Sequence, residues 1–309
     1  MALCLQGVRY FEERCTPLYP LEGREQPVPL QIGTQLLASS KRDIVRQQLK
    51  NYEYAVAASL LDSLGLTLYV DLARLALYRL NFDFQRARAV AAKLVACEQE
   101  DIRTYGLRVE ADLKKLLMKD LSRLILELYH NAAIKFHREE YLDFIGRLSR
   151  FQEAVLRYLV ETSELMLKTD IDKDERHFTV FQASVRQHPR LVEYLEQQIY
   201  ENDKLNWEQP YIPCLMKILE YLAREGDPER RAQRTEVVDG LREIGRLVPL
   251  RNKSPLGHGF EGVSVEAIRE RVAGFSPERL RDIIHGIGLV GNEDNPYDRV
   301  NALVVNALS

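Results

Sequence analysis

The sequence lacks the features that mark secreted and membrane proteins. It holds four cysteines in 309 residues, and no two of them form a CxxC pair. This spacing predicts reduced, structural thiols in the cytoplasm and argues against a disulfide-stapled scaffold or a zinc ribbon. Asp62, Asp71 and Arg74 interrupt the longest apolar stretch, which leaves no run of the roughly 18 residues that a membrane span requires. Residues 1–10 lack the basic and apolar regions of a signal peptide, so we expect no secretory leader.

The chain also lacks an excess of positive charge. It carries 43 Lys and Arg against 46 Asp and Glu, a net charge of −3, while 46% of its residues are hydrophobic. This composition is typical of a folded protein, and it means that a local basic patch must hold any polyanion. Motifs such as GxSxG, HExxH and the P-loop are missing. We therefore expect no metal ion and no cofactor.

What the sequence has in abundance is helical periodicity. From Asp43 onward, apolar residues recur at helical spacing, with predicted helices that include Asp43–Leu64 and Leu107–His130. Before that, Ala2–Phe11 and Val28–Ile32 are short apolar runs divided by prolines, typical of strands or an irregular lead-in. The fold class is therefore mainly α, a helical bundle with a short strand-like N-terminal segment. Residues 1–40 form a lead-in or a domain remnant, and residues 41–309 form the helical region.

Three local features add detail to this predicted bundle. Residues 162–188 interrupt the helical pattern with an alternation at His177–Phe181, which predicts a strand or an irregular excursion. Similar sequences at Asn51 and Asn81, 30 residues apart, suggest stacked helix pairs. Near the C-terminus, Ser264 and Ser276 are predicted to cap helices.

One polar segment stands apart from the helices. Residues 250–259 bring an arginine, an asparagine, a lysine, a serine and a histidine together, and Pro255, Gly257 and Gly259 predict a tight turn there. The segment could be an ordinary interhelical loop in which His258 caps a helix. It could also be a site where a permanent cation and a titratable ring act on one substrate.

The second interpretation is supported by a resemblance. Arg251 is followed after six residues by His258, a spacing similar to the active-site motif of the HEPN ribonucleases. The segments 51–57, 141–153 and 247–253 resemble the HEPN region of the CRISPR-associated accessory ribonucleases of type III systems. The resemblance covers roughly residues 40–309. It implies a HEPN-type helical bundle that cleaves single-stranded RNA in antiviral defence.

The chemistry of RNA cleavage fits these residue types. RNA carries its own nucleophile, because the 2′-OH lies next to the scissile phosphorus. His258 is the candidate for proton transfer, since an unperturbed histidine titrates near pH ~6.5, and Arg251 is the candidate for binding the scissile phosphate. Asn252 is the polar neighbour of the family motif and is expected to orient the pair or the substrate. The expected reaction is metal-independent and yields a 2′,3′-cyclic phosphate and a 5′-OH.

Weaker candidates for RNA contact surround this pair. They are Lys253, Ser254 and Arg246. Lys253 and Arg246 belong to the segment 229–253, where seven Lys and Arg stand against four Asp and Glu, a local balance of +3. Such a patch could follow a phosphate backbone, although a solvated helix face explains most of these arginines equally well.

Strand cleavage benefits from both a base and an acid. The resemblance implies a two-fold homodimer whose two motifs share one cleft, so that His258 of each copy contributes. His285 is an alternative second group, although a structural role suits it better.

The sequence departs from the family at its beginning. The accessory ribonucleases carry an N-terminal Rossmann-like sensor for cyclic oligoadenylate, and the first forty residues here show no βαβ pattern. We therefore expect cyclic oligoadenylate to act only through a domain absent from this chain. Two other functions stay open: a toxin-type HEPN ribonuclease neutralised by a partner protein, and a non-catalytic helical scaffold that uses the similar segments at Asn51 and Asn81.

Overall fold

The structure, a computed structural model, describes residues 18–19, 28–29, 31–169, 175–201, 206–225, 227–289 and 295–308. The predicted mainly α fold class is confirmed. Strands β1 (Leu18–Tyr19) and β2 (Val28–Pro29) pair antiparallel, with Leu18 opposite Pro29 and Tyr19 opposite Val28. The predicted strand Ala2–Phe11 lies outside the described residues. No helix among the described ranges combines the length and the apolar character that crossing a lipid bilayer demands.

Helices account for most of the described chain. They are α1 Gln31–Lys50, α2 Tyr54–Ser63, α3 Thr67–Leu80, α4 Phe84–Val95, α5 Glu100–Leu117, α6 Leu121–His137, α7 Tyr141–Thr162, α8 Glu175–Arg186, α9 Pro189–Glu201, α10 Ile212–Leu222, α11 Pro228–Gly245, α12 Val248–Lys253, α13 Val265–Arg271, α14 Glu278–Gly286 and α15 Pro296–Ala307.

The chain divides into two compact units. The first comprises Met1–Glu110 and Pro296–Ser309, and the second comprises Ala111–Asn295. The boundary that we expected at residue 40 falls inside α1, whose 20 residues contain no proline or other break. Pro29 is the last of the N-terminal prolines, and prolines interrupt helices. Helical structure can therefore begin soon after it, earlier than the apolar periodicity alone predicts.

In the first unit, the C-terminal helix α15 packs against the opening helices. The rings of Tyr54 and Tyr297 lie 6.2 Å apart, and both side chains are buried. Asn301 donates a hydrogen bond from Nδ2 to the carbonyl oxygen of Leu49 over 3.0 Å.

The similar segments at Asn51 and Asn81 correspond to one type of turn. Tyr52 and Phe82 both have positive φ, 56° and 60°, and each lies two residues after the end of a helix. In each turn the next residue donates its N–H to a carbonyl five residues earlier, from Glu53 to Gln48 and from Asp83 to Tyr78, both over 2.9 Å. This is the Schellman helix stop. Lys119, with φ of 59°, ends α5 in the same way, and the predicted helix Leu107–His130 is therefore two helices.

The second unit is organised around α7. Phe136 of α6 and Phe144 of α7 have ring centroids 5.1 Å apart, and Phe275 lies 5.7 Å from Phe144. Gln152 on the same helix donates a hydrogen bond to the carbonyl oxygen of Leu241 in α11 over 2.9 Å. Helices α10, α11 and α12 all pack against α7, which makes it the support for the polar segment after α11.

Two expectations in this unit need correction. The predicted strand or irregular excursion within residues 162–188 is wrong for its described part, because residues 175–186 form α8. Phe181 and Val185, four residues apart, are both fully buried, so a helical stripe outweighs the alternation. Ser264 does cap its helix through a bond from the N–H of Ala267, whereas the residue before α14 is Pro277 in place of the predicted Ser276.

Candidate functional site

The polar segment begins on a short helix. After α11 ends at Gly245, α12 covers Val248–Lys253 with a proline in its first turn, a position where the missing N–H of proline costs nothing. Arg251 and Asn252 therefore lie in the last turn of a helix that packs on α7, whereas the sequence placed them in the loop. A helical support holds their backbone more firmly than a free loop would.

After α12 the chain turns back onto the helix that it has just left. The N–H of His258 donates to the carbonyl oxygen of Asn252 over 3.1 Å, and the N–H of Glu261 donates to that of Lys253 over 2.9 Å. Within the turn, Gly257 donates to the carbonyl oxygen of Ser254 over 2.9 Å. The backbone of His258 is thus fixed beside Asn252, one residue from Arg251.

Two glycines make this return possible. A Cβ atom at Gly257 would lie 2.6 Å from the Cα atom of Asn252 and 2.7 Å from the carbonyl oxygen of Arg251. At Gly259 a Cβ atom would lie only 1.9 Å from the carbonyl oxygen of Lys253. Real Cβ contacts stay above 3.0 Å, so neither position accepts a side chain without moving backbone. The predicted tight turn is present, and these glycines require it.

Ser254 lies at the centre of the turn and is fully buried. Its hydroxyl donates to the carbonyl oxygen of Arg251 over 2.7 Å and accepts the N–H of Leu256 over 3.3 Å. The expectation that Ser254 contacts RNA needs correction, because a buried hydroxyl with both bonds made inside the turn does not reach a substrate. Its role is to fasten the residues after Arg251 to the end of α12.

A second fastening joins the turn to α7. A Cβ atom at Gly146 would lie 2.9 Å from Cδ1 of Leu256, so the absence of a side chain there admits the leucine. Gly146 belongs to the segment 141–153, whose similarity to the HEPN region we noted in the sequence. The structure thus brings that segment and the turn together.

The three predicted catalytic side chains are open to solvent. Asn252 and His258 are exposed and Arg251 is half-exposed. Within the described ranges, none of the three makes a side-chain hydrogen bond or an ion pair with another residue. A guanidinium fork and an imidazole with all their polar atoms available can bind a phosphate and move a proton.

The predicted basic patch is smaller than the sequence suggested. Arg230, Arg234 and Arg242 are paired with Asp227, Glu164 and Glu220 respectively. The hydrogen bond from Arg234 lowers the pKa of Glu164. Carboxylates nearby in the sequence or in the fold therefore neutralise much of the local positive charge of +3.

Two of the weaker candidates remain next to the turn. Lys253 forms an exposed ion pair with Glu261 at 3.6 Å, and such pairs contribute little because water screens them. Arg246 is exposed at the C-terminal cap of α11 and has no carboxylate partner among the described residues. Both cations can still approach a phosphate backbone.

A cavity of about 480 Å³ lies elsewhere, between α11 and α14. Its lining includes Glu236, Asp239, Glu243 and Asp282 against the single cation Arg279, and no residue of the turn at 251–258 belongs to it. Carboxylates repel a polyanion, so this cavity does not suit RNA.

His285, the alternative second group, belongs to α14, not to the turn. It lies in the last helical turn, is half-buried, and precedes Gly286, a lining residue of the acidic cavity. This surrounding is unlike the open surface of His258.

One candidate functional residue, Phe260, was not predicted from the sequence. Phe260, two residues after His258, is 95% exposed. The signal was available, since an aromatic residue between Gly259 and Gly262 in a polar segment has no helical stripe to join.

A family model described as the Cas_Csm6 HEPN domain matches residues 114–305, more than half of the chain and a range that contains the whole turn. No curated protein and no solved structure matches the chain.

Proposed function

The chain belongs to the Cas_Csm6 HEPN domain family of CRISPR-associated ribonucleases, and on that premise we propose that it cleaves single-stranded RNA at the turn formed by residues 251–258. The observation that carries the proposal is the turn itself. Backbone hydrogen bonds fix Arg251 and His258 close together in the chain fold, and both side chains are free of competing partners in the described residues. We assign the activity to antiviral defence in the cytoplasm.

The proposed reaction begins with the RNA. The 2′-oxygen loses its proton to a histidine and attacks the adjacent phosphorus, forming a phosphorane. Arg251 donates hydrogen bonds to the non-bridging oxygens, where negative charge accumulates. The bond to the 5′-oxygen then breaks, and that oxygen takes a proton from a second histidine, His258 of the partner subunit in the proposed homodimer. A 2′,3′-cyclic phosphate and a 5′-OH result, and all charge and proton changes are covered without a metal ion.

Asn252 has a positioning role in this scheme. Its carbonyl oxygen accepts the N–H of His258 over 3.1 Å, and its side chain is exposed. Exposed Lys253 and Arg246 would contact flanking phosphates, contributing to binding more than to chemistry.

The direct test is cleavage of a fluorescent single-stranded RNA in EDTA. We expect a rate loss of about 10²–10⁴-fold for His258→Ala and about 10²–10³-fold for Arg251→Ala. Arg299→Ala is the matched control, since Arg299 is an exposed arginine on α15 of the first unit. Rates in both turn variants that equal the wild-type rate would contradict the assignment. Activity lost in EDTA and restored by a divalent ion would contradict metal independence.

The proposal includes a homodimer, because one chain supplies one histidine of this kind while the reaction uses a base and an acid. If two copies share a site, adding inactive His258→Ala chains to the wild type should lower activity more than dilution does. Strictly proportional activity would contradict the shared site. Cyclic oligoadenylate added to this chain should not change the rate, since we assign its binding to a separate sensor domain.

A further inference from the structure

Phe260 is the most exposed of the large apolar side chains in the described part of the protein. Its 95% exposure exceeds that of Met118 and Met166, both at 73%, and of Leu256 at 42%. A fully solvated phenyl ring forgoes the free energy that its burial would contribute. A ring so placed is suited to a ligand that covers it.

The backbone on both sides of Phe260 is fixed. Gly259 donates its N–H to the carbonyl oxygen of Ser254 over 3.3 Å, and Glu261 donates to that of Lys253 over 2.9 Å. A Cβ atom at Gly259 would overlap the backbone of Lys253, so there is no room for a side chain at this position. The ring therefore projects from an anchored position two residues after His258.

The surroundings of the ring are polar and cationic. Asn252 and Lys253 are exposed on the α12 side, Arg251 is half-exposed, and exposed Glu261 follows directly. A contact with a second protein copy would need a contiguous apolar area, whereas the exposed apolar side chains of this turn besides Phe260 are Pro255 and Leu256, the latter 42% exposed. One isolated ring beside phosphate-binding groups instead matches the combination by which proteins hold unpaired nucleotides, an aromatic face for the base and cations for the backbone.

We propose that Phe260 is a stacking platform for one base of the RNA strand, next to the phosphodiester that Arg251 and His258 engage. This inference rests on the proposed function and deepens it by naming a substrate-positioning residue. Because every base has a π-face, stacking alone favours any unpaired nucleotide over a base pair. The platform would thus select single strands and fix which linkage reaches the histidine.

Binding of an RNA that resists cleavage tests the proposal separately from catalysis. The probe is a labelled oligonucleotide whose nucleotide at the cleavage position is 2′-deoxy. Since stacking contributes about 1–3 kcal/mol per base, Phe260→Ala should raise Kd by about 5- to 150-fold. Phe260→Trp should restore binding, whereas Phe260→Leu, which keeps apolar character without the ring, should not. Met118→Ala, which removes another exposed apolar side chain, should leave Kd unchanged.

A cycle with abasic RNA identifies the base. One abasic position should weaken wild-type binding as strongly as Phe260→Ala does, and the same RNA should bind the variant with no further loss. Independent effects at every position would overturn the proposal. So would a shift in oligomeric state by sedimentation that accounts for the whole change in Kd, because Phe260 would then belong to a contact between copies. If the wild type binds with this coupling and cuts no RNA, the proposed function fails while the stacking contact stands.

Discussion

Gly259→Ala tests whether RNA cleavage depends on the backbone geometry of the turn, because it disturbs that geometry while it leaves Arg251, Asn252 and His258 in the sequence. The new Cβ atom would meet the carbonyl oxygen of Lys253 at 1.9 Å and the carbonyl carbon at 2.4 Å. Reaching the tolerated 3.0 Å requires a shift of about 1.1 Å, and both groups in contact are backbone. Because no flexible side chain is involved that could move aside, the backbone of the turn must open.

Opening the turn strains the hydrogen bonds that fix it. Those from Gly259 to Ser254 and from Glu261 to Lys253 lie on either side of the clash, and the bond from His258 to Asn252 is one residue away. A displacement of about 1 Å at a catalytic group costs on the order of 10²-fold in rate. We therefore expect about a 100-fold loss of RNA cleavage, with every proposed catalytic side chain still present.

The matched control is Gly262→Ala, three residues further along. A Cβ atom there has no neighbour within 4 Å, so cleavage should stay within about twofold of the wild type. Thermal unfolding should show that both variants are folded, since the turn is a surface feature of the second unit. Wild-type cleavage by Gly259→Ala would refute the argument, because the catalytic groups would then not depend on this turn.

Two further substitutions test the supports of the site. Ser254→Ala removes a buried hydroxyl with two bonds and should lower the free energy of unfolding by about 1–3 kcal/mol, measured by urea denaturation, and an unchanged midpoint would contradict its fastening role. Burial tends to raise the pKa of Glu220, but hydrogen bonds and charge from Lys217 and Arg242 outweigh it and lower the pKa below its usual 4.5. The stability that this ionised carboxylate contributes is therefore present above pH ~4.5 and lost as pH falls through the lowered folded-state value. The difference in melting temperature between wild type and Glu220→Gln should shrink as the pH falls below 4.5, and a constant difference would show that the charge is not involved.

Features that depend on neighbouring residues could be predicted from the sequence, whereas features that depend on residues distant in the sequence could not. The helical class, the turn at Pro255–Gly259 and the roles proposed for Arg251 and His258 follow from local patterns, which one chain segment displays in full. The burial of Ser254 does not, because it depends on where the following backbone returns. The pairing of Arg234 with Glu164, 70 residues away in the sequence, is equally invisible in a count of local charge.

The excursion expected within residues 162–188 illustrates a different limit. Alternating apolar residues over five positions also fit one face of a helix when the buried pair, here Phe181 and Val185, is four residues apart. Only packing decides between the two periods in so short a segment. Phe260 shows the opposite case, because its apolar ring is exposed and does not pack in the core.

The central claim is that the RNA supplies the attacking oxygen while the protein supplies charge and proton transfer. It is tested most directly by one oligonucleotide, cut by the wild type in EDTA, compared with its twin carrying a single 2′-deoxy nucleotide at the cleavage position. The account predicts that the substituted linkage is uncut, and that mass spectrometry of the parent products shows a 2′,3′-cyclic phosphate and a 5′-OH. Cleavage of the 2′-deoxy linkage at the parent rate, or products ending in a 5′-phosphate, would contradict it.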